Sequence, residues 1–332
     1  MADNDGDELT YADAGVDIDA SEAATAALIG MVGEGEGDYA GLLDIGDRYL
    51  ALATDGVGTK LLVADALADY STVGIDCIAM NVNDLVAAGV RPVAFVDYLA
   101  VEEPDEAFAE QIGEGLAAGA ERAGIELVGG ETAVMPEIVR GLDLAGTCAG
   151  LADKDAVFDG AAEAGDTLVG WRSSGIHSNG VTLAREAVTR SHAYDDPAPA
   201  SFEGYETLGE ALLEPTRIYT DLLDPMRDHG VHGAAHVTGG GWSNLGRLGA
   251  NRYVIDDPFD PQPVFEFVQS EGNVSDAEMH RTFNMGTGFV AAVDPDAAHS
   301  LAAATGGRVI GQVEATTGAD GSSHVEIRGL TL

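Results

Sequence analysis

GIDCIAMNVNDLVAAGVRPVAFVDYLAV, residues 74–101, decides the fold class. Its first half sets Ile78, Val82, Leu85 and Val86 at helical spacing. Gly89 stops that pattern, and VRPVAFVDYLAV (90–101) follows as a β-rich run. A helix handed over to a strand is the alternation of an α/β protein. The flanking segments repeat it. LLDIGDRYLALATDG (42–56) reads as two strands about a Gly46–Asp47 turn. DEAFAEQIGEGLAAGAERAG (105–124) is a helix with acids at its start and Gly124 at its end. IELVGGE (125–131) is a short strand entering a glycine turn, and LDLAGTCAGLA (142–152) an apolar strand. AGDTLVGWRSSGIHSNG (164–180) opens a new strand–turn unit that leads into the helix VTLAREAVTR. The acidic, small-residue stretch 153–166 separates the two units. The expectation is a two-domain α/β (α+β) protein, residues 1–160 and 161–332, with 192–206 as an exposed loop.

Charge narrows the classes. The chain carries 57 acidic and 16 basic residues, a formal net charge of −41, spread along its whole length. Such a charge repels itself unless salt screens it, and reads as an acidic solvation surface of the kind found in high-salt cytoplasm. It excludes nucleic-acid or anionic-membrane binding by a broad basic patch. Cys77 and Cys148 lie in apolar runs without metal-ligand spacing and read as buried thiols. MADNDGDELT is acidic and has no apolar stretch, and no run of about 20 apolar residues occurs, so a soluble, cytoplasmic protein is expected.

Candidate chemistry gathers at glycine-rich turns. TDGVGTK (54–60) holds Lys60, one of only two lysines. Glycines there let backbone N–H groups approach an anion, Asp55 suits a hard cation, and Lys60 suits a phosphate. It is not a P-loop, since Leu61 follows the lysine. A plain glycine hairpin is the alternative. Asn81, Asn83 and Asp84 interrupt an apolar helix, either as polar caps or as ligands. Glu131 of GGET (129–132) is a metal candidate or a turn residue. Asp55, Asp84 and Glu131 together form a plausible magnesium cluster. SSGIHSNG (173–180) joins a strand to a helix N-terminus, a place suited to anions. HVTGGGW (236–242) and RTFNMGTGF (281–289) add two further turns.

Eight segments in order carry a resemblance: YADAGVDIDA (11–20), TDGVGTK, NVNDLVAAGVRPVAFVDYLA (81–100), GGETAVMP (129–136), SSGIHSNG, EPTRIY (214–219), HVTGGG and RTFNMGTG (281–288). Together they closely resemble the phosphoribosylformylglycinamidine cyclo-ligases, or aminoimidazole ribonucleotide synthetases, over residues 11–315. The acidic composition suggests a version from a halophilic archaeon. The resemblance implies two α/β domains and a homodimer formed through strands of the N-terminal domains. It implies ATP-dependent ring closure of formylglycinamidine ribonucleotide in purine synthesis, with the formyl oxygen phosphorylated first. It places ATP and Mg²⁺ on Asp55, Gly56, Gly58, Thr59, Lys60, Asn83, Asp84, Gly130 and Glu131, with Asp55, Asp84 and Glu131 on the metal. It places substrate on Ser173, Ser174, Gly175, His177, Ser178, Asn179, Gly239, Gly240, Arg281 and Asn284, with Lys60 and His177 as catalytic candidates. One departure is the short segment EGEGDYAGLLDIGD (34–47), where the family usually has a longer glycine-rich stretch. The rivals are a small-molecule kinase of the same superfamily, which would show denser paired aspartates in place of TDGVGTK; a selenophosphate synthetase, which would need a reactive cysteine near the N-terminus; and a non-catalytic nucleotide sensor, which would have lost the charged groups.

Overall fold

The computed structural model describes residues 8–16, 23, 27, 39–158, 160–316 and 322–332. Residues 17–20 of YADAGVDIDA and residues 34–38 of the shortened segment lie outside the described residues. Strands β1 (Gly41–Asp44) and β2 (Arg48–Gly56) form a hairpin about Gly46, as the sequence pattern predicts. A single turn, Gly58–Lys60, leads into α1 (Leu61–Leu67) and then α2 (Val73–Ala87). Next come β3 (Arg91–Val101), α3 (Glu106–Ala123), β4 (Glu126–Val134) and β5 (Leu142–Asp153). Asp105 caps α3 by accepting from the Ala107 and Phe108 N–H groups, and Gly124 closes it in a left-handed conformation. The five strands lie in the order β1-β2-β5-β3-β4, with only β3 and β4 parallel.

The second sheet has the order β12-β11-β8-β10-β6-β9-β7. Its strands are β6 (Thr167–Arg172), β7 (Gly233–His236), β8 (Asn251–Ile255), β9 (Thr287–Val293), β10 (Arg308–Ala315), β11 (His324–Ile327) and β12 (Leu330–Thr331). Around it run α4 (Val181–Thr189), α5 (Leu208–Leu212), α6 (Leu223–Asp228), α7 (Pro263–Gly272), α8 (Asp276–Thr282) and α9 (Pro295–Thr305).

The spine of the molecule is α2. All of its 15 residues but Asp84 are buried, which is the mark of a helix packed on every side. One face lies on β2 and β5, another on α3, and a third meets β7 of the other sheet. Close approach to α3 depends on Gly74, because a Cβ there would stand 2.2 Å from the Leu116 backbone nitrogen. Polar residues inside such a helix must find partners, and Asp76, Asn83 and Asp84 of α2 find them in the second half of the chain. The 192–206 segment is only partly exposed: Phe202 is buried and packs edge-on against Phe267.

Candidate active site

One row of residues crosses the first sheet. Asp55 of β2 pairs with Gly146 of β5, Gly146 with Asp97 of β3, and Asp97 with Gly130 of β4. Opposed residues in a pleat share a face, and this face is the one covered by α2, since Ala51 and Ala53 of β2 are buried there. Gly130 must be glycine, because a Cβ would lie 2.2 Å from Asp97 Oδ1. Burial pushes the Asp97 carboxyl above its usual range. Asp55 is raised to about 6, first by desolvation against the surrounding protein and then by repulsion from Asp84. Its carboxylate is nonetheless open to water, and among the described residues it has no ion-pair partner. The Gly56 N–H donates to Asp55 Oδ1 at 2.7 Å.

From α2, Asn81 Nδ2 donates to the Asp55 carbonyl at 3.2 Å and to the Cys77 carbonyl at 2.9 Å, while its own buried Oδ1 has no partner. Asp84 Oδ1 accepts from His236 Nδ1 at 3.0 Å. The His236 ring is fully buried, with Nε2 facing the Asn83 amide at 3.4 Å, so Nδ1 carries the proton. Asn83 also donates to the Arg217 carbonyl and accepts from the Tyr219 N–H. Two carboxylates that repel each other, beside an unpartnered amide oxygen, form a hard-oxygen donor set that fits Mg²⁺.

Glu131 stands apart from these groups. The strand β4 continues through GGET instead of turning there, so Glu131 is mid-strand and paired with Tyr98. Its phase puts it on the open face of the sheet. It is three strands from Asp55, roughly 14 Å at about 4.8 Å per strand, so within one chain the two cannot share an ion.

Lys60 is buried. Its Nζ pairs with Asp76 Oδ2 at 2.8 Å, a close ionic contact off the hydrogen-bonding direction, and donates to the Glu214 carbonyl at 2.6 Å. Asp76 Oδ1 accepts from both the N–H and the hydroxyl of Thr216. Thr59 Oγ1 meets Thr182 Oγ1 of α4 at 2.7 Å. Gly58 adopts φ +69 in this turn.

The turns of the second half close on the same junction. Ser174 donates its N–H to His177 Nε2 and its hydroxyl to the Pro215 carbonyl. His177 is buried with φ +66, and desolvation holds it neutral, well below its ordinary range. Asn284 donates to the carbonyls of Gly175 and Ile176 and so clamps the SSGIHSNG turn. Ser173 donates its N–H to the Gly286 carbonyl. Ser178 approaches Thr216 at 3.4 Å, and a Cβ on Gly239 would touch Asn179 Oδ1 at 3.2 Å. Gly240 supplies φ +89 before a short helical turn. Arg281 is exposed at the end of α8. Tyr11 of the YADAG segment joins by donating its N–H to Glu278.

Seven of the quoted segments therefore meet at one junction between the two sheets. Residues 37–152 match the AIR synthase related protein N-terminal domain, and residues 163–322 its C-terminal domain. The chain belongs to the AIR synthase family. It is 49% identical over 317 residues to the phosphoribosylformylglycinamidine cyclo-ligase of Methanosarcina acetivorans, covering 92% of this chain and 95% of that one. The enzyme of the same name from Thermococcus gammatolerans is 48% identical over 304 residues, with 87% and 89% covered. The solved structure of AaThiL complexed with AMPPCP and TMP has the same fold, with a TM-score of 0.69 over 96% of both chains at 16% identity. Membership makes this AIR synthase family chain an enzyme of the cyclo-ligase class in purine biosynthesis. No helix among the described residues is long and apolar enough to cross a membrane.

Three residues at the junction escape a motif-based reading. Asp97 is a charged residue inside the apolar strand VAFVDYLAV, in phase with Phe95 and Leu99, and that phase is its signal. Asp76 and Arg217 sit in or beside the quoted motifs and become visible only through their partners.

Proposed function

We propose that this enzyme transfers the γ-phosphoryl group of ATP to the formyl oxygen of formylglycinamidine ribonucleotide, and that an amidine nitrogen then closes the imidazole ring, releasing ADP and phosphate. The family gives the overall cyclisation, and the Asp55–Asp84 pair with its orphaned Asn81 oxygen carries the finer reading. A formyl oxygen leaves poorly unless it is first made a phosphate ester, and charge developing on the phosphoryl group needs fixed counter-charge. Asp55 and Asp84 would hold Mg²⁺, which supplies that counter-charge when bound. His236, hydrogen-bonded to Asp84, orients the carboxylate. TDGVGTK offers backbone N–H groups to the nucleotide, with Gly56, Gly58 and Thr59 at the turn and Asn83 and Gly130 behind it. Lys60 fixes this turn against the second half. The clamped SSGIHSNG turn, with HVTGGG and RTFNMGTG behind it, forms the substrate side, His177 acting as a neutral support.

The same reading includes a cytoplasmic homodimer. Among the described residues, nine of the ten exposed large apolar side chains belong to the first sheet and its turns, and of these Leu52, Val96 and Tyr98 share the open face. An apolar face of that extent fits a partner surface. Glu131 lies on it, on the opposite side of the sheet from Asp55, so a Glu131 at the metal would come from the second copy, reaching round the end of the strands.

Label the formyl oxygen with ¹⁸O and recover the products by mass spectrometry. Direct transfer puts the label in phosphate; label found only in water would overturn the phosphoryl-transfer route while leaving cyclisation intact.

A further inference from the structure

Three arginines converge on one cavity of about 440 Å³ between the halves: Arg122 at the end of α3, Arg172 at the exit of β6, and Arg217 in the segment 214–221. The chain has 57 acidic residues for its 16 basic ones. Arg48, Arg91, Arg252, Arg308 and Arg328 each hold a carboxylate within 4 Å. Among the described residues, Arg122, Arg172 and Arg217 hold none, as do Arg140, Arg185, Arg190, Arg247 and Arg281, and what sets the three apart is that they line one cavity. In so acidic a chain, three uncompensated guanidinium groups around one hollow call for an anion from outside.

We infer that this cavity seats the 5′-phosphate of the ribonucleotide substrate, with Arg217 and Arg172 as its principal ligands and Arg122 as the third cation. This rests on the cyclisation reading above. Arg217 is pre-oriented: it lies over the Tyr219 ring at 4.9 Å and donates one Nη1 hydrogen to the Arg172 carbonyl, leaving the rest of its fork free. Its backbone is fixed on both flanks by α2, through Asp76 to Thr216 and Asn83 to the Arg217 carbonyl. A planar guanidinium fork matches phosphate oxygens two at a time. Two carboxylates also border the cavity. Glu214 accepts from the Tyr205 hydroxyl, and Asp221 is exposed at the rim, so the balance stays positive. Arg172 and Ser174 also border a second cavity of about 460 Å³ beside Phe202 and Gln262, which leaves room for the rest of a nucleotide.

The test compares wild type with Arg217→Ala and Arg172→Ala in phosphate- and sulfate-free buffer at constant chloride. Kinetics with formylglycinamidine ribonucleotide and its dephosphorylated ribonucleoside should show that each substitution raises KM for the ribonucleotide roughly 10- to 100-fold, the usual worth of a charged hydrogen bond. The preference for the phosphorylated form should shrink toward unity, with KM for ATP unchanged. A raised KM for ATP with an unchanged KM for the ribonucleotide would assign the arginines to the nucleotide and overturn the inference. Calorimetric titration with ribose 5-phosphate separates this from the function itself. Binding by wild type that is lost in both variants supports the cavity even if ring closure proves not to be the reaction. Equal binding by wild type and both variants, or none by a folded wild type, overturns it.

Discussion

Lys60 Nζ stands 2.8 Å from Asp76 Oδ2, and both side chains are wholly buried. The ammonium also reaches the Glu214 carbonyl, and the carboxylate takes Thr216, so one ion pair ties the TDGVGTK turn and α2 to the segment bearing Arg217. Removing one partner of a buried pair strands the other charge, which costs about 3–5 kcal/mol. Lys60→Met should lose stability of that order in urea titration at fixed molar potassium chloride. Lys60→Met/Asp76→Leu should recover part of it, though not the two Thr216 hydrogen bonds. A single variant as stable as wild type would remove the pair from the list of structural ties.

Net charge sets a second expectation. At −41 the folded chain repels itself in dilute buffer. At 1 M salt the Debye length falls to roughly 3 Å and the repulsion between surface carboxylates is largely screened. The thermal midpoint should climb steeply from dilute to molar potassium chloride. Equal midpoints would show that the acidic surface carries no such penalty.

His232 gives a pH signature away from the active site. Its Nδ1 lies 2.9 Å from Asp166 Oδ2, and that hydrogen bond, helped by Asp294 and Glu163, raises its pKa above the ordinary 6.5. A raised folded pKa means that the charged form stabilises the native state. The contribution is complete below about pH 6.5 and disappears as pH rises through the folded value. The urea midpoint of wild type should exceed that of His232→Gln at pH 5.5, with the gap closing by pH 9. A gap that widens with pH would mean the histidine is neutral in the fold.

The sequence pattern makes the first sheet and α2 legible because β2 and β3 bury apolar residues at strand spacing and the apolar residues of α2 fall at helical spacing. GGET misleads for a physical reason. Two glycines suggest a turn, but β3 supplies a parallel ladder through them, and Gly130 is there to clear the Asp97 carboxylate, not to bend the chain. Lys60 stands out by its rarity, yet its partner does not, since Asp76 is one acid among 57 and helical periodicity marks only apolar positions. Arg172 and Arg217 adjoin SSGIHSNG and lie within EPTRIY. What distinguishes them is that they line one cavity together with Arg122, which only three-dimensional placement reveals.

Glu131 yields the sharpest test of assembly. It sits on the open, apolar face of the first sheet, three strands from Asp55. If both acids serve one metal, Glu131 must come from the second copy and reach Asp55 round the end of β2, since Asp55 points to the face under α2. In a two-fold dimer each site would then combine Asp55 of one protomer with Glu131 of the other. Asp55→Asn and Glu131→Gln homodimers should each be nearly inactive, because every site lacks one acid. In the mixed dimer, one site carries both substitutions and the other carries none. Co-expression with two affinity tags isolates that mixed species, and it should recover about half of the wild-type activity per dimer. Recovery should also restore the wild-type magnesium dependence at the intact site. A mixed dimer as inactive as its parents would place both acids in the same chain's site, and a fully active Glu131→Gln homodimer would take Glu131 off the metal altogether.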